Sequence, residues 1–269
     1  MINLYEEIER IKSSGYNEQN AQSKLGQDII LKAIADSGMT EKATIKGGVV
    51  MRSISQNARR ATLDLDLDFI RYSISDDSIR RFVEKLNCID GLTIKLTSPI
   101  TELNHQDYKG KRVHISITDI EGTSISLKMD IGVHNDLSIE QNEYAYDLSF
   151  QEDAISILVN SPAQMIAEKL KSMVRFEKRS TRYKDIFDIC FLSDQVNMGQ
   201  LKECIQKYIF NDPTLKSVSN MDTIIKRVEQ MFNDPGYLRE FHKSDKNWLD
   251  ISADDALDKV LSFIRSIQF

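Results

Sequence analysis

Asp64, Asp66 and Asp68 alternate with Leu65, Leu67 and Phe69 in the stretch DLDLDF. Strand side chains alternate faces with period two, so a strand here puts three carboxylates on one face and three apolar side chains on the other. Aspartate is poorly suited to strands, and like charges side by side repel. Something of opposite charge should offset them, and a divalent cation does so. Two carboxylates at i and i+2 can share a pair of hard cations, as two-metal phosphoryl or nucleotidyl transfer requires. A third carboxylate on a neighbouring strand completes the set, and Asp130, in the alternating stretch ISLKMDIGV, is the best candidate. A solvated acidic face is the plain alternative. A calcium loop is excluded, because Phe69 stands where that loop needs glycine and Ser75 where it needs its last acid.

Two further groups carry chemistry. Gly47 and Gly48 sit just ahead of the aspartates. Adjacent glycines between a strand and a helix let backbone N–H groups approach a phosphate, although a glycine pair is also a common turn. No GK[ST] follows, so this is not a Walker loop. The second group is the basic run Lys169, Lys171, Arg175, Lys178, Arg179, Arg182 and Lys184, flanked at its end by Asp185 and Asp188. It suits a triphosphate or a nucleic-acid backbone, with a solvated helix face as the alternative. Other chemistries lack their marks. His105, His114, His134 and His242 form no HxxxH or HExxH pattern, there is no GxSxG elbow, and the lone Trp248 reads as packing.

The elements that must position these residues follow from periodicity. Residues 3–13 and 18–36 have helical spacing, the latter with Leu25, Ile29, Ile30 and Ile34 and a stop at Gly38. A short strand at 43–45, the glycine turn, a short helix and the aspartate strand come next. A helix over 75–86 precedes strands at 92–96, 113–117 and 125–133, and 135–159 reads as loop. From Ser161 only helices are expected, at 162–174, 183–193, 199–209, 221–232 and 254–267, with Asp234-Pro235-Gly236 as a turn. An α/β part thus spans residues 1–150 and a helical part 151–269. The 269 residues, with 35 Lys and Arg against 41 Asp and Glu for a net charge of −6, exclude a generally basic nucleic-acid coat but allow a local basic patch. Three cysteines without a CxxC pair read as reduced core thiols. The N-terminal stretch carries acids and no long apolar run, and no segment reaches membrane-spanning length, so a cytoplasmic protein without a membrane partner is expected.

Those residues resemble the AbiEii/AbiGii-type nucleotidyltransferases, toxins of bacterial toxin–antitoxin and abortive-infection (phage defence) systems. The family pattern, KGG and then Arg-x-Ser/Thr-x-Asp-hydrophobic-Asp, reads here Lys46-Gly47-Gly48 and Arg60-Ala61-Thr62-Leu63-Asp64-Leu65-Asp66. A second landmark, an AEKL helix followed by Arg-x-Lys-Asp, matches through Glu168, Lys169, Arg182, Lys184, Asp185 and Asp188. The resemblance implies an α+β fold: a polymerase β-like nucleotidyltransferase core of mixed sheet and helices, then an all-helical C-terminal region giving Lys and Asp side chains to the active-site cleft. It implies that Asp64 and Asp66 are the metal pair, Asp130 the third ligand or the base, and Asp68 an accessory acid. Gly47, Gly48, Arg60 and Thr62 would bind the nucleotide, with Lys169, Arg182, Lys184, Asp185 and Asp188; Lys169 would also serve catalysis by neutralising the leaving pyrophosphate. The implied cofactor is Mg2+, with Mn2+ as substitute, the substrate a nucleoside triphosphate, the acceptor the 3′ end of tRNA, and the regulator a cognate antitoxin. A protein or small-molecule acceptor, or a non-catalytic binding module, are the rival expectations.

Overall fold

The computed structural model describes residues 1–103 and 110–269, so His105 lies outside the described residues. The chain divides into two compact units, Met1–Asn160 and Ser161–Phe269. Unit 1 runs α1 (Leu4–Ser13), α2 (Glu18–Asp36), β1 (Ala43–Lys46), α3 (Gly48–Ser55), β2 (Asp64–Phe69), α4 (Asp76–Lys85), β3 (Leu92–Leu96), β4 (Thr101–Leu103), β5 (Gly110–Asp119), β6 (Ser124–Val133), β7 (Asn142–Tyr146) and β8 (Ile155–Val159). Asn3, Asn17 and Ser75 cap α1, α2 and α4 by accepting from a backbone N–H in the first turn.

The strands form one mixed sheet in the order β3-β5-β6-β2-β1-β8-β7, with β4 paired to β5. The pairs β2–β6 and β1–β8 are parallel and the other pairs antiparallel. Alternation gives the sheet an apolar face built from Ile45, Leu65, Leu67, Val113, Ile115, Leu127, Met129 and Ile131, all buried. The largely apolar α2 packs on β6, β2 and β8, while α4 packs on β3. Burying each such aliphatic side chain contributes roughly 1.5–3 kcal/mol relative to exposure. The three aspartates of β2 take the other face.

Helix α2 also buries charge. Asp28 is fully buried and accepts from Tyr146 Oη at 3.0 Å, from the Ser149 N–H at 2.8 Å and from Lys24 Nζ at 2.7 Å. The buried Arg52 guanidinium of α3 lies 3.5 Å from Asp28, donates to Tyr146 Oη at 2.7 Å and donates to Gln27. This network ties α2, α3 and β7 together.

Unit 2 is all-helical among the described residues: α5 (Pro162–Phe176), α6 (Lys184–Leu192), α7 (Met198–Ile205), α8 (Met221–Phe232), α9 (Pro235–Lys243) and α10 (Ala253–Ser266). Helix α5 packs on α6, α7 and α8, and α10 on α6 and α8. Phe187, Tyr237 and Phe241 form a stacked aromatic cluster with Tyr183 at its edge.

The expected α+β class, with a mixed sheet and a helical second part, is the observed one. Five local expectations are corrected. Residues 135–159 are not all loop, since β7 and β8 form a hairpin there; its arms are short and joined by a polar stretch without a tight-turn signature. β4 adds a short edge strand. Asp234-Pro235-Gly236 starts α9 rather than making a free turn, because Asp234 accepts from the Tyr237 N–H at 2.9 Å and Pro235 takes the first helical position. Helix α7 ends at Ile205 and continues as one π-helical turn, Gln206–Phe210. Of the cysteines, Cys190 and Cys204 are buried, but Cys88 is exposed rather than core.

Removing one partner of a buried ion pair leaves the other charge uncompensated. Asp28→Ala strands Arg52 and Lys24 and should cost about 3–5 kcal/mol. Urea denaturation followed by circular dichroism measures it, and a loss within experimental error would contradict the role of the network.

Candidate active site

β2 lies between β1 and β6. The parallel register sets Asp64 opposite Lys128, Asp66 opposite Asp130 and Asp68 opposite Gly132. Across β1, Lys46 stands opposite Asp66 and Thr44 opposite Asp68. Residues opposite one another share a face, so Asp130 joins the face of the three aspartates. The sheet therefore brings Asp64, Asp66, Asp68 and Asp130 together on one face.

Three of these carboxylates are matched by cations. Lys46 Nζ lies 2.6 Å from Asp68, Lys128 Nζ lies 2.8 Å from Asp64, and Arg112 of β5 grips Asp130 with Nε and Nη2, each at 2.8 Å. Such a bidentate guanidinium grip fixes both charge and orientation. The Asp66 carboxylate has no hydrogen bond or ion pair among the described residues. Burial pushes its carboxyl up to about 6; Lys46 works against that shift, while Asp130, Asp64 and Asp68 add to it.

The glycine turn packs against this strand. Gly47 has φ +67°, a left-handed conformation suited to glycine, and a Cβ built there would lie 2.7 Å from Asp66 Oδ2. A Cβ on Gly48 would lie 2.6 Å from the Cβ and Oγ1 of Thr62. Each glycine is thus needed for contact with a separate member of the expected site, and α3 starts directly from the turn. Arg60 is buried in the short helical turn Ala58–Arg60 that leads to Thr62.

Gln27, Arg52, Arg112 and Lys128 were not singled out by sequence reasoning. Gln27 is fully buried, donates to the carbonyls of Thr62 at 3.0 Å and Asp64 at 3.1 Å, and accepts from Arg52. It holds the start of β2 to α2. The signal that could have found it is the polar pair Gln27-Asp28 within an otherwise apolar helical stretch. Arg112 and Lys128 were visible as outward positions of alternating strands, one beside His114 and the other beside Asp130.

Unit 2 gathers a second group. Lys169 Nζ donates to Asp185 at 2.8 Å and to Asp188 at 2.7 Å. Trp248, packed against Phe191, donates its indole N–H to the other oxygen of Asp188 at 3.0 Å. The basic run is less bare than its sequence suggests, because Lys171 pairs with Asp212 and Lys178 with Asp234. Arg182 is exposed, and Lys184 opens α6.

The sequence matches the family model described as nucleotidyl transferase AbiEii toxin, type IV toxin–antitoxin system, over residues 29–259. The chain belongs to the AbiEii nucleotidyltransferase toxin family. No curated protein matches it. Among solved structures it is similar to an antigenic nucleotidyltransferase-like protein from Paracoccidioides brasiliensis, with a TM-score of 0.41 and 14% identity over 71% of this chain and 92% of that one. No helix among the described residues is long and apolar enough to cross a membrane.

The four carboxylates of this face suit a hard divalent cation by donor type, being oxygen donors alone. Among the described residues no three His, Cys, Asp or Glu side chains converge as a ready-made metal cage. Side-chain cations hold Asp64, Asp68 and Asp130 instead, and Asp66 is the carboxylate left without an ion pair among the described residues.

Two outcomes follow. Gly48→Ala should cost at least about 1–3 kcal/mol, the usual range for overpacking, since Thr62 cannot recede without moving β2; thermal unfolding checks it. The raised Asp66 pKa makes the folded chain bind a proton more tightly than the unfolded one. Metal-free stability should therefore fall as pH rises from about 4 towards 6. Asp66→Asn should raise the Tm of the metal-free protein at pH 8 and lose that advantage towards pH 4, and an equal effect at both pH values would refute the shift.

Proposed function

We propose that this chain transfers a nucleotide from a nucleoside triphosphate to the 3′ end of tRNA, in the cytoplasm, as the toxin of a toxin–antitoxin pair serving abortive infection. The observation that carries this reading is the alignment of Asp66 with Asp130 across parallel strands, with the Gly47 turn against Asp66. That arrangement has the form of a triphosphate site: carboxylates on a rigid sheet, and a glycine turn opening a helix beside them.

In the reaction the acceptor hydroxyl oxygen bonds to the α-phosphorus, the bond from that phosphorus to the bridging oxygen breaks, and pyrophosphate leaves. Asp64, Asp66 and Asp130 are the residues that would hold Mg2+, with Mn2+ as a substitute, and the ion supplies Lewis-acid stabilisation of the phosphate oxygens and a lowered pKa for the acceptor hydroxyl. Gly47 and Gly48 offer backbone N–H groups to the β- and γ-phosphates, and the Thr62 and Arg60 segment braces that turn. Arg112 orients Asp130, which faces the acceptor hydroxyl and can take its proton. Lys169 enters through its chemistry: an ammonium oriented by Asp185 and Asp188 suits the charge that develops on pyrophosphate. Arg182 and Lys184 add positive charge for the triphosphate. A cognate antitoxin is the partner expected of a type IV toxin.

Asp66→Ala should abolish transfer while the circular dichroism spectrum is retained; full activity in that variant would remove Asp66 from the site. The decisive assay incubates the protein with each of four labelled triphosphates and purified tRNA, beside total protein extract. Label in tRNA is expected. Label in protein alone would overturn the tRNA acceptor, and no labelling together with no Mg2+-dependent triphosphate binding by calorimetry would leave a binding module.

A further inference from the structure

We propose that the outward face of β3, β5 and β6 docks the phosphate backbone of a single-stranded nucleic acid that carries the acceptor hydroxyl. This inference rests on the reading of an RNA acceptor given above, and adds the surface that holds it.

The register defines the face. Lys95 stands opposite Ser116, Ser116 opposite Ser126, and His114 opposite Lys128. Arg112 stands opposite Asp130. The remaining outward positions on these strands are threonine, serine or glycine, so none carries a large apolar or aromatic side chain. The inward positions, including Ile94, Ile115, Ile117 and Leu127, are buried core. Lys95, His114 and Ser126 are exposed, and the side chains of Lys95 and His114 make no hydrogen bond or ion pair among the described residues.

Charge points to the occupant. The chain has a net charge of −6, yet this face carries Lys95, Arg112 and Lys128 with His114 between them. The three strands hold two acids. Asp130 is bound by Arg112, and Asp119 is buried, accepting from the Leu4 N–H at 3.0 Å. Cations interleaved with hydroxyls are the side chains that contact phosphate oxygens. A protein partner would be expected to meet aromatic or other apolar anchors, which the outward positions lack. Without an aromatic ring to stack bases, the face would grip backbone rather than read sequence.

Position completes the argument. Lys128 and Asp130 lie two residues apart on β6, and Lys128 touches Asp64. At strand rise and spacing, the face extends about 20 Å along β6 from Asp130 and about 10 Å across three strands, enough for several nucleotides. A strand laid on it would end at the carboxylates of β2.

The test uses the full chain carrying Asp66→Asn, with binding of a fluorescent single-stranded RNA of mixed sequence followed by anisotropy across a salt series. Lys95→Ala should weaken binding and lower the slope of log K against log salt by roughly 0.7, the value for one phosphate contact to a single strand. Lys95→Glu with Ser126→Asp, both at exposed positions, should remove measurable binding. With Asp66 restored, the same double substitution should raise KM for RNA while keeping kcat and the KM for the triphosphate. Unchanged RNA affinity and slope, with the parent chain still labelling RNA, would overturn the platform and leave the proposed function standing. A parent chain that neither binds nor labels RNA would overturn both. If the double substitution lowers kcat or Tm equally, or abolishes inhibition by the antitoxin while RNA binding persists, the face is structural or a protein-docking surface and the proposal falls.

Discussion

Asp66 and Asp130 stand side by side in a parallel ladder, like charge next to like charge, with Asp64 and Asp68 on the same face. Such a pairing is unfavourable in a structure with nothing to offset it. Unit 1 supplies the offset through Lys46, Lys128 and the two-bonded grip of Arg112, each drawn from a strand that flanks the carboxylates. Asp66 is buried and receives only a share of the Lys46 charge, so burial, with the neighbouring acids adding to it, makes its carboxyl hold a proton more tightly than usual. The sheet is therefore arranged around four acids whose charge is balanced for three.

That arrangement requires close approach, and two devices provide it. The glycine turn carries backbone where side chains would collide with Asp66 and Thr62. Behind the sheet, Gln27 fixes the carbonyls at the start of β2, and Arg52 fixes Gln27 while sharing Asp28 with Tyr146 and Lys24. Buried groups of this kind tolerate little substitution, because each is a partner for another. The helix that follows the glycine turn and the strand that bears the acids are thus held by one continuous set of hydrogen bonds.

Much of this was legible in the sequence. Alternation in DLDLDF and ISLKMDIGV puts the acids on one face of their strands, and helical spacing places α1, α2 and α4 to within a residue or two. The sequence could not show which strands are neighbours. The pairing of Asp66 with Asp130 spans the chain from β2 to β6 and depends on β5 lying outside β6, a tertiary fact with no local signal. The hairpin of β7 and β8 was missed for a related reason: its exposed edge strand has little apolar alternation, and Tyr146 is revealed as a buried member only through Asp28. α9 was missed because an Asp-Pro-Gly turn and an Asp-capped, Pro-initiated helix begin with the same residues. The basic run looked like a free positive field because acids distant in sequence, Asp212 and Asp234, are invisible to a reading of spacing.

Trp248 gives unit 2 a property of another kind. It is the chain's single tryptophan, and its indole N–H is bonded to the same carboxylate that grips Lys169. The indole is sensitive to charge and polarity at that bond, so its emission is an intrinsic optical gauge of the Lys169–Asp188 contact. Whatever draws the ammonium away from Asp188, whether an anion or a change of salt, is written into the fluorescence of a protein that needs no added label.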